Sequence, residues 1–125
     1  MLEWFLALPD GKEVTGYTDS PWNGVTSLQL AALCQRIIEQ DAFQTLWEES
    51  PVHHFCPHRA LSKYELLRLF GDEFRRRVVV IPGPTPGGPV TRVLVSRYQG
   101  LRELFGTDLT IADAVRALPI ERATR

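Results

Sequence analysis

Residues 82–89, Pro82-Gly83-Pro84-Thr85-Pro86-Gly87-Gly88-Pro89, constrain the fold more than any other stretch of this chain. Proline fixes φ and donates no backbone hydrogen bond, while glycine loses the most conformational freedom on ordering, so regular structure is excluded across these eight residues. Immediately before them Val78-Val79-Val80-Ile81 is β-branched throughout and long enough only for a buried strand. The chain therefore has to make a strand, stop it abruptly, and release a loop that a ligand could order.

Hydroxyl residues place the helices. Thr26 and Gln29, Ser62 and Glu65, and Ser96 and Gln99 all have capping-box spacing, in which the hydroxyl accepts an early helix amide and the longer side chain reaches back. The first box opens a helix over about 27–41 whose Leu30, Leu33, Cys34, Ile37 and Ile38 share a face. The second opens a helix over 63–76 with Leu66, Leu67, Phe70 and Phe74 on one side and Arg75-Arg76-Arg77 where the dipole favours cations. The third precedes Leu101, Leu104 and Phe105, with Gly106 as a stop. Thr110 opens a last helix carrying Ile111, Ala114, Val115 and Leu118, closed by Pro119.

Shorter pieces lie between. Leu2 to Leu8 reads as a short helix stopped by Pro9-Asp10-Gly11, Glu13 to Thr18 as a short strand, and Arg92-Val93-Leu94-Val95 as an extended piece. Val52-His53-His54-Phe55-Cys56, between Pro51 and Pro57, is a further strand candidate, expected at a sheet edge with the 27–41 and 63–76 helices packed beside it, their buried faces touching. Helices alternating with strands give an α/β fold of about four main helices with short strands, a single domain over 1–120 with residues 121–125 frayed.

With fourteen basic and fifteen acidic residues, no global field draws in nucleic acid or an anionic membrane. No apolar stretch approaches the roughly 20 residues needed to span a bilayer, and Met1-Leu2-Glu3-Trp4 does not begin a signal peptide, so a cytoplasmic protein is expected. Two cysteines, Cys34 and Cys56, make no disulfide framework and read as buried thiols.

His53, His54, Cys56 and His58 suggest a metal site, but on a strand only His54 and Cys56 share a face, and a closed zinc site wants four ligands. No metal is expected. Trp22 is either a stacking platform for a base or sugar or a hydrophobic lid on the helix start, and Asn23 stands beside it. Tyr64 reads as partial core packing, while Tyr17, at a strand end, is open between packing and ligand contact. The lysines are Lys12 and Lys63, and the positions four before them hold Leu8 and Arg59, so no Tyr-x-x-x-Lys pair exists.

The sequence Asp19-Ser20-Pro21-Trp22-Asn23-Gly24-Val25-Thr26, a helix through Leu28-Gln29-Leu30-Ala31, a segment with a central histidine, and then Ser62-Lys63-Tyr64-Glu65-Leu66 resembles, in order and spacing, the C-terminal portion of extended short-chain dehydrogenases. The dTDP-4-dehydrorhamnose reductase-like branch of the NAD-dependent epimerase family is the nearest pattern. Asp19, Leu30 and Ala31 match it; Gly24-Val25 stands where relatives have Pro-Thr, Gln29 where they have aspartate, and Gly88-Pro89 where they often have Arg-Pro. The resemblance implies a partial Rossmann-type unit, the substrate-side portion of a nucleotide-sugar reductase or epimerase. Trp22, Asn23, Arg92 and Arg97 would face the nucleotide-sugar.

It also implies a dinucleotide-binding half with a Gly-rich turn and a Tyr-x-x-x-Lys pair, holding NAD(P). Neither occurs here, so no catalytic residue and no bound cofactor are expected of this chain alone. Its expected partner is that missing half or, in a non-catalytic binding or self-assembly module, a second copy.

Overall fold

The structure, a computed structural model, describes residues 1–106 and 110–120. In chain order the elements are α1 (Leu2–Leu6), β1 (Glu13–Tyr17), β2 (Pro21–Trp22), α2 (Ser27–Glu39), α3 (Phe43–Glu49), β3 (Leu61–Ser62), α4 (Lys63–Phe74), β4 (Val79–Gly83), α5 (Gly100–Phe105) and α6 (Ile111–Arg116). The fold is mixed α/β, with α3 as a helix the sequence did not announce. The expected fraying of residues 121–125 lies outside the described residues.

Capping chemistry sets three helix starts. The Thr26, Ser62 and Thr110 hydroxyls each accept a 3.2 Å hydrogen bond from the amide three residues on, and the side-chain oxygens of Gln29, Glu65 and Asp113 each accept one from the cap amide. The box expected at Ser96 does not form. Its hydroxyl accepts from the Tyr98 amide and donates to the Tyr98 carbonyl, a local turn that competes with helix initiation, and α5 starts four residues later without a side-chain cap.

β1 and β4 pair in parallel, Glu13 opposite Val79 through Tyr17 opposite Gly83. The strand therefore runs two residues into the proline-glycine stretch. Val79 donates its amide to Lys12, so by the two-residue alternation Pro82 faces the open edge, where a missing donor costs nothing. Nor is the strand buried: Val79 and Ile81 are 48% and 43% exposed, because α4 covers one face of a sheet only two strands wide. Gly16 makes that cover possible, since a Cβ there would stand 2.7 Å from the Tyr64 Cα.

Two core clusters result. Phe5, Leu66, Leu67, Phe70, Phe74, Ile111 and Val115 form one, built on the stripe of α4 as expected; Leu33, Leu101 and Phe105 form the other. Burying one such side chain is worth about 1.5–3 kcal/mol, so the α4 stripe dominates. The buried faces of α2 and α4 therefore do not meet in one core: α2 packs on α5, and α4 on α1, β1, β3, β4 and α6. α2 is also rotated from the expected stripe. Gln29, drawn inward by the Thr26 amide and by His58, is buried with Leu33, which turns Leu30 and Ile38 out to 50% and 78% exposure. Cys34 follows them into solvent and Cys56 is half-buried, so neither thiol is a core residue.

Residues 52–56 form no strand. The prolines on either side interrupt any ladder, and the side chains pack on helices instead: His53 Nε2 lies 2.8 Å from the Leu46 carbonyl, and Phe55 meets Phe105 edge-on at 4.7 Å. The Arg75-Arg76-Arg77 run is not uniformly solvated either. Arg75 takes a left-handed cap at φ 54°, and the half-buried Arg76 guanidinium donates to the Leu8 carbonyl, tying α4 to the end of α1.

Candidate functional site

The site grows from two residues, Trp22 and Asn23. β2 pairs antiparallel with β3, Trp22 opposite Leu61, while the Arg92 amide donates to the Pro21 carbonyl at 2.9 Å. Asn23 continues that contact with its side chain: Nδ2 donates to the Leu94 carbonyl at 2.8 Å and the Leu94 amide donates to Oδ1 at 2.9 Å. Successive residues of an extended chain face opposite ways. Accordingly Trp22 lines a cavity of about 390 Å³ against Leu66 and Phe70, and Asn23 lines a different one of about 400 Å³.

The Asn23 cavity has the size of a small-ligand site. Its walls are residues 54–58, the extended piece 93–96 and the first turn of α5. Phe55 and Leu101 supply apolar surface, Ser96, Gln99 and His54 supply hydrogen-bonding groups, and Arg102 supplies a cation. His58 is buried, its Nε2 2.7 Å from Gln29 Nε2 and 3.1 Å from Gln29 Oε1, so the residue that completes the Thr26 capping box of α2 also fixes this wall. The lining thus combines apolar surface with a few hydrogen-bonding groups and one cation. Among the described residues no three His, Cys, Asp or Glu side chains converge on a metal position.

Asn23 thus holds a wall of the cavity with both ends of its amide. Trp22 is half-buried, its indole folded over Gly24, where a Cβ would collide with the ring, and packed against the α4 cluster. Arg92 and Arg97 are exposed and line neither cavity. Sequence reasoning missed Tyr98, Gln99 and Arg102. Their signal was spacing: Tyr98 and Arg102 are four apart, and Gln99 and Arg102 three apart, one side of a helix start. Of the tyrosines, Tyr17 lies under Lys63, whose ammonium is 4.9 Å from the ring centroid, and Tyr64 lies under Arg68.

In open α/β sheets ligands gather at the carboxyl ends of the strands. Here that end is closed by the protein itself. Asp19 accepts from the Thr85 hydroxyl at 2.6 Å and the Thr85 amide at 2.8 Å, Thr18 donates its amide to Gly83, and the Ser20 hydroxyl donates to Val90. The Thr85 hydroxyl, and after it the Thr85 amide, hold the Asp19 carboxyl below the usual aspartate range. The residues after β1 lead into β2 rather than a helix N-terminus, so they do not fit a dinucleotide pyrophosphate.

No family model, curated protein or solved structure matches the chain. Among the described residues no helix is long and apolar enough to cross a membrane.

Proposed function

We propose that this chain is the substrate-side portion of a nucleotide-sugar reductase or epimerase, working in the cytoplasm and completed by a separate dinucleotide-binding unit that brings NAD(P). The β1–β4 pair carries the reading. Parallel strands belong to sheets covered on both faces, and this sheet has α4 on one face and half-exposed Val79 and Ile81 on the other. A second unit laid there would cover the open face. The Asn23 cavity would hold the sugar, with Gln99, Ser96 and His54 toward hydroxyls, Arg102 toward phosphate, and Arg92 and Arg97 as further cations on the neighbouring surface. Asn23 would keep the 93–96 wall in place. The chain's own residues would bind and orient; hydride chemistry would come with the nicotinamide of the other unit.

The test is calorimetry of the chain with UDP- and dTDP-sugars, alone and with a Gly-rich dinucleotide-binding half of a reductase supplied. Binding that appears or strengthens when the half is added supports the reading. Turnover of reduced nicotinamide by the chain alone overturns it. The same open sheet face also favours a second reading, a non-catalytic module that covers it by self-association. A stable dimer indifferent to nucleotide-sugars selects that reading instead.

A further inference from the structure

Helix α3 turns Leu46 into the smaller core cluster and leaves its remaining apolar residues in water. Phe43 and Trp47, one turn apart, are 64% and 56% exposed, and their rings stack with centroids 6.2 Å apart and planes 22° apart. Ile38, before them in the chain, and Val52, after them, are also exposed. A single exposed hydrophobic residue needs no explanation. Two rings already stacked form a stiff platform that loses little side-chain entropy when something lands on it. Phe and Trp side chains offer roughly 150–250 Å² each, so about 200 Å² of aromatic surface lies open, the footprint of a peptide segment rather than of a globular partner.

Charge narrows what lands there. From residue 37 to residue 52 the chain carries Glu39, Asp41, Glu48 and Glu49 and no lysine or arginine. Glu49 lies 3.7 Å from His53, and like Glu39, Asp41 and Glu48 it is exposed. Arg36, the nearest cation in sequence, is turned away: its guanidinium donates to the Leu104 and Phe105 carbonyls and covers the Phe105 ring at 5.3 Å. The stretch of chain that bears the platform is thus acidic, on a chain of net charge −1. That field repels anionic lipid headgroups and phosphates, and attracts lysine and arginine, which also settle on aromatic faces.

We propose that the Phe43–Trp47 platform docks a cationic amphipathic peptide segment of a protein partner. Aliphatic side chains of the segment lie on the stacked rings, and its cations meet Glu48, Asp41 and Glu39. The surface belongs to the Leu33–Leu101–Phe105 cluster, whereas the open sheet rests on the α4 cluster, so the two are separate binding faces.

The probe is a two-heptad Leu/Lys amphipathic peptide, titrated into the full chain by calorimetry at low salt, with a Leu/Glu peptide of the same pattern as control. The Leu/Lys peptide should bind at about 10–100 μM and the control should not. Affinity should fall roughly tenfold in the Phe43→Ala/Trp47→Ala variant, and several-fold in added salt or in Glu39→Gln/Asp41→Asn/Glu48→Gln, which leaves the rings in place. Far-UV circular dichroism checks that each variant keeps its fold. No binding at roughly 100 μM, or binding unchanged in the aromatic variant, overturns the proposal. Ring-dependent binding of the chain to phosphatidylglycerol vesicles, or self-association lost in the aromatic variant, overturns it too, by assigning the platform to a membrane or to a second copy.

Discussion

The amide of Asn23 exchanges two hydrogen bonds with the backbone of Leu94, 71 residues away, in the manner of one more rung of a strand ladder. Asn23 is 6% exposed and Leu94 53%, so the two bonds, each worth about 0.5–1.5 kcal/mol, hold a buried amide to a backbone that water reaches. Asn23→Ala should therefore cost about 1–3 kcal/mol, visible as a lower denaturant midpoint at unchanged slope. A loss well under this range would mean that the 93–96 wall finds other partners.

Gly16 and Gly11 make a matched pair. An Ala side chain at Gly16 would meet the backbone of Tyr64, which cannot give without moving α4 off the sheet, whereas Gly11 has open space and only its positive φ against substitution. Gly16→Ala should cost about 2–3 kcal/mol and Gly11→Ala about 1. Equal costs would argue that α4 does not press on β1.

Ser62 and Ser96 look alike in sequence and differ in the fold. Ser62→Ala should lower stability by about 1 kcal/mol, because it removes a formed capping box. Gln99→Ala should leave stability within about 0.5 kcal/mol, since no box forms there. Thermal melts of the two variants against the parent decide the point.

Acid should unclamp the loop at the end of β4. The Asp19 carboxyl is depressed when folded, first by the Thr85 hydroxyl, so its contribution is present above the unfolded aspartate value and is lost as pH falls through the folded one. The window lies below about pH 4. Asp19→Asn should lower stability by a constant amount above about pH 5 and converge with the parent below the window, flattening the acid limb; an unaltered acid limb would show that Asp19 and Thr85 do not share this bond in solution.

The sequence made α4 legible down to its four buried residues, because Ser62, Glu65 and the stripe of Leu66, Leu67, Phe70 and Phe74 all demand the same helix. It misled at α2, where apolar spacing favoured Leu30, Cys34 and Ile38 and a polar tether at Gln29 rotated the helix away from them. α3 left no trace, having neither a capping side chain nor a buried residue. Residues 52–56 had strand composition without a strand to pair with, and pairing is a property of the whole fold. At the candidate site Asn23 was readable, but its role was not: only the approach of Leu94 turns a ligand-facing amide into a clamp.

The pairing of Glu13 with Val79 also sets the order in which the molecule can be made. β1 leaves the ribosome first and then waits for α2, α3 and α4 to be synthesised before its partner exists. Such a distant rendezvous is entropically slow, while α4 needs only its own neighbours to begin coiling. The nascent chain would therefore carry an unpaired β1 edge until residues 79–83 have been made. That makes the residues around Gly16 the place where crowding, a chaperone or a premature neighbour would most readily divert the chain.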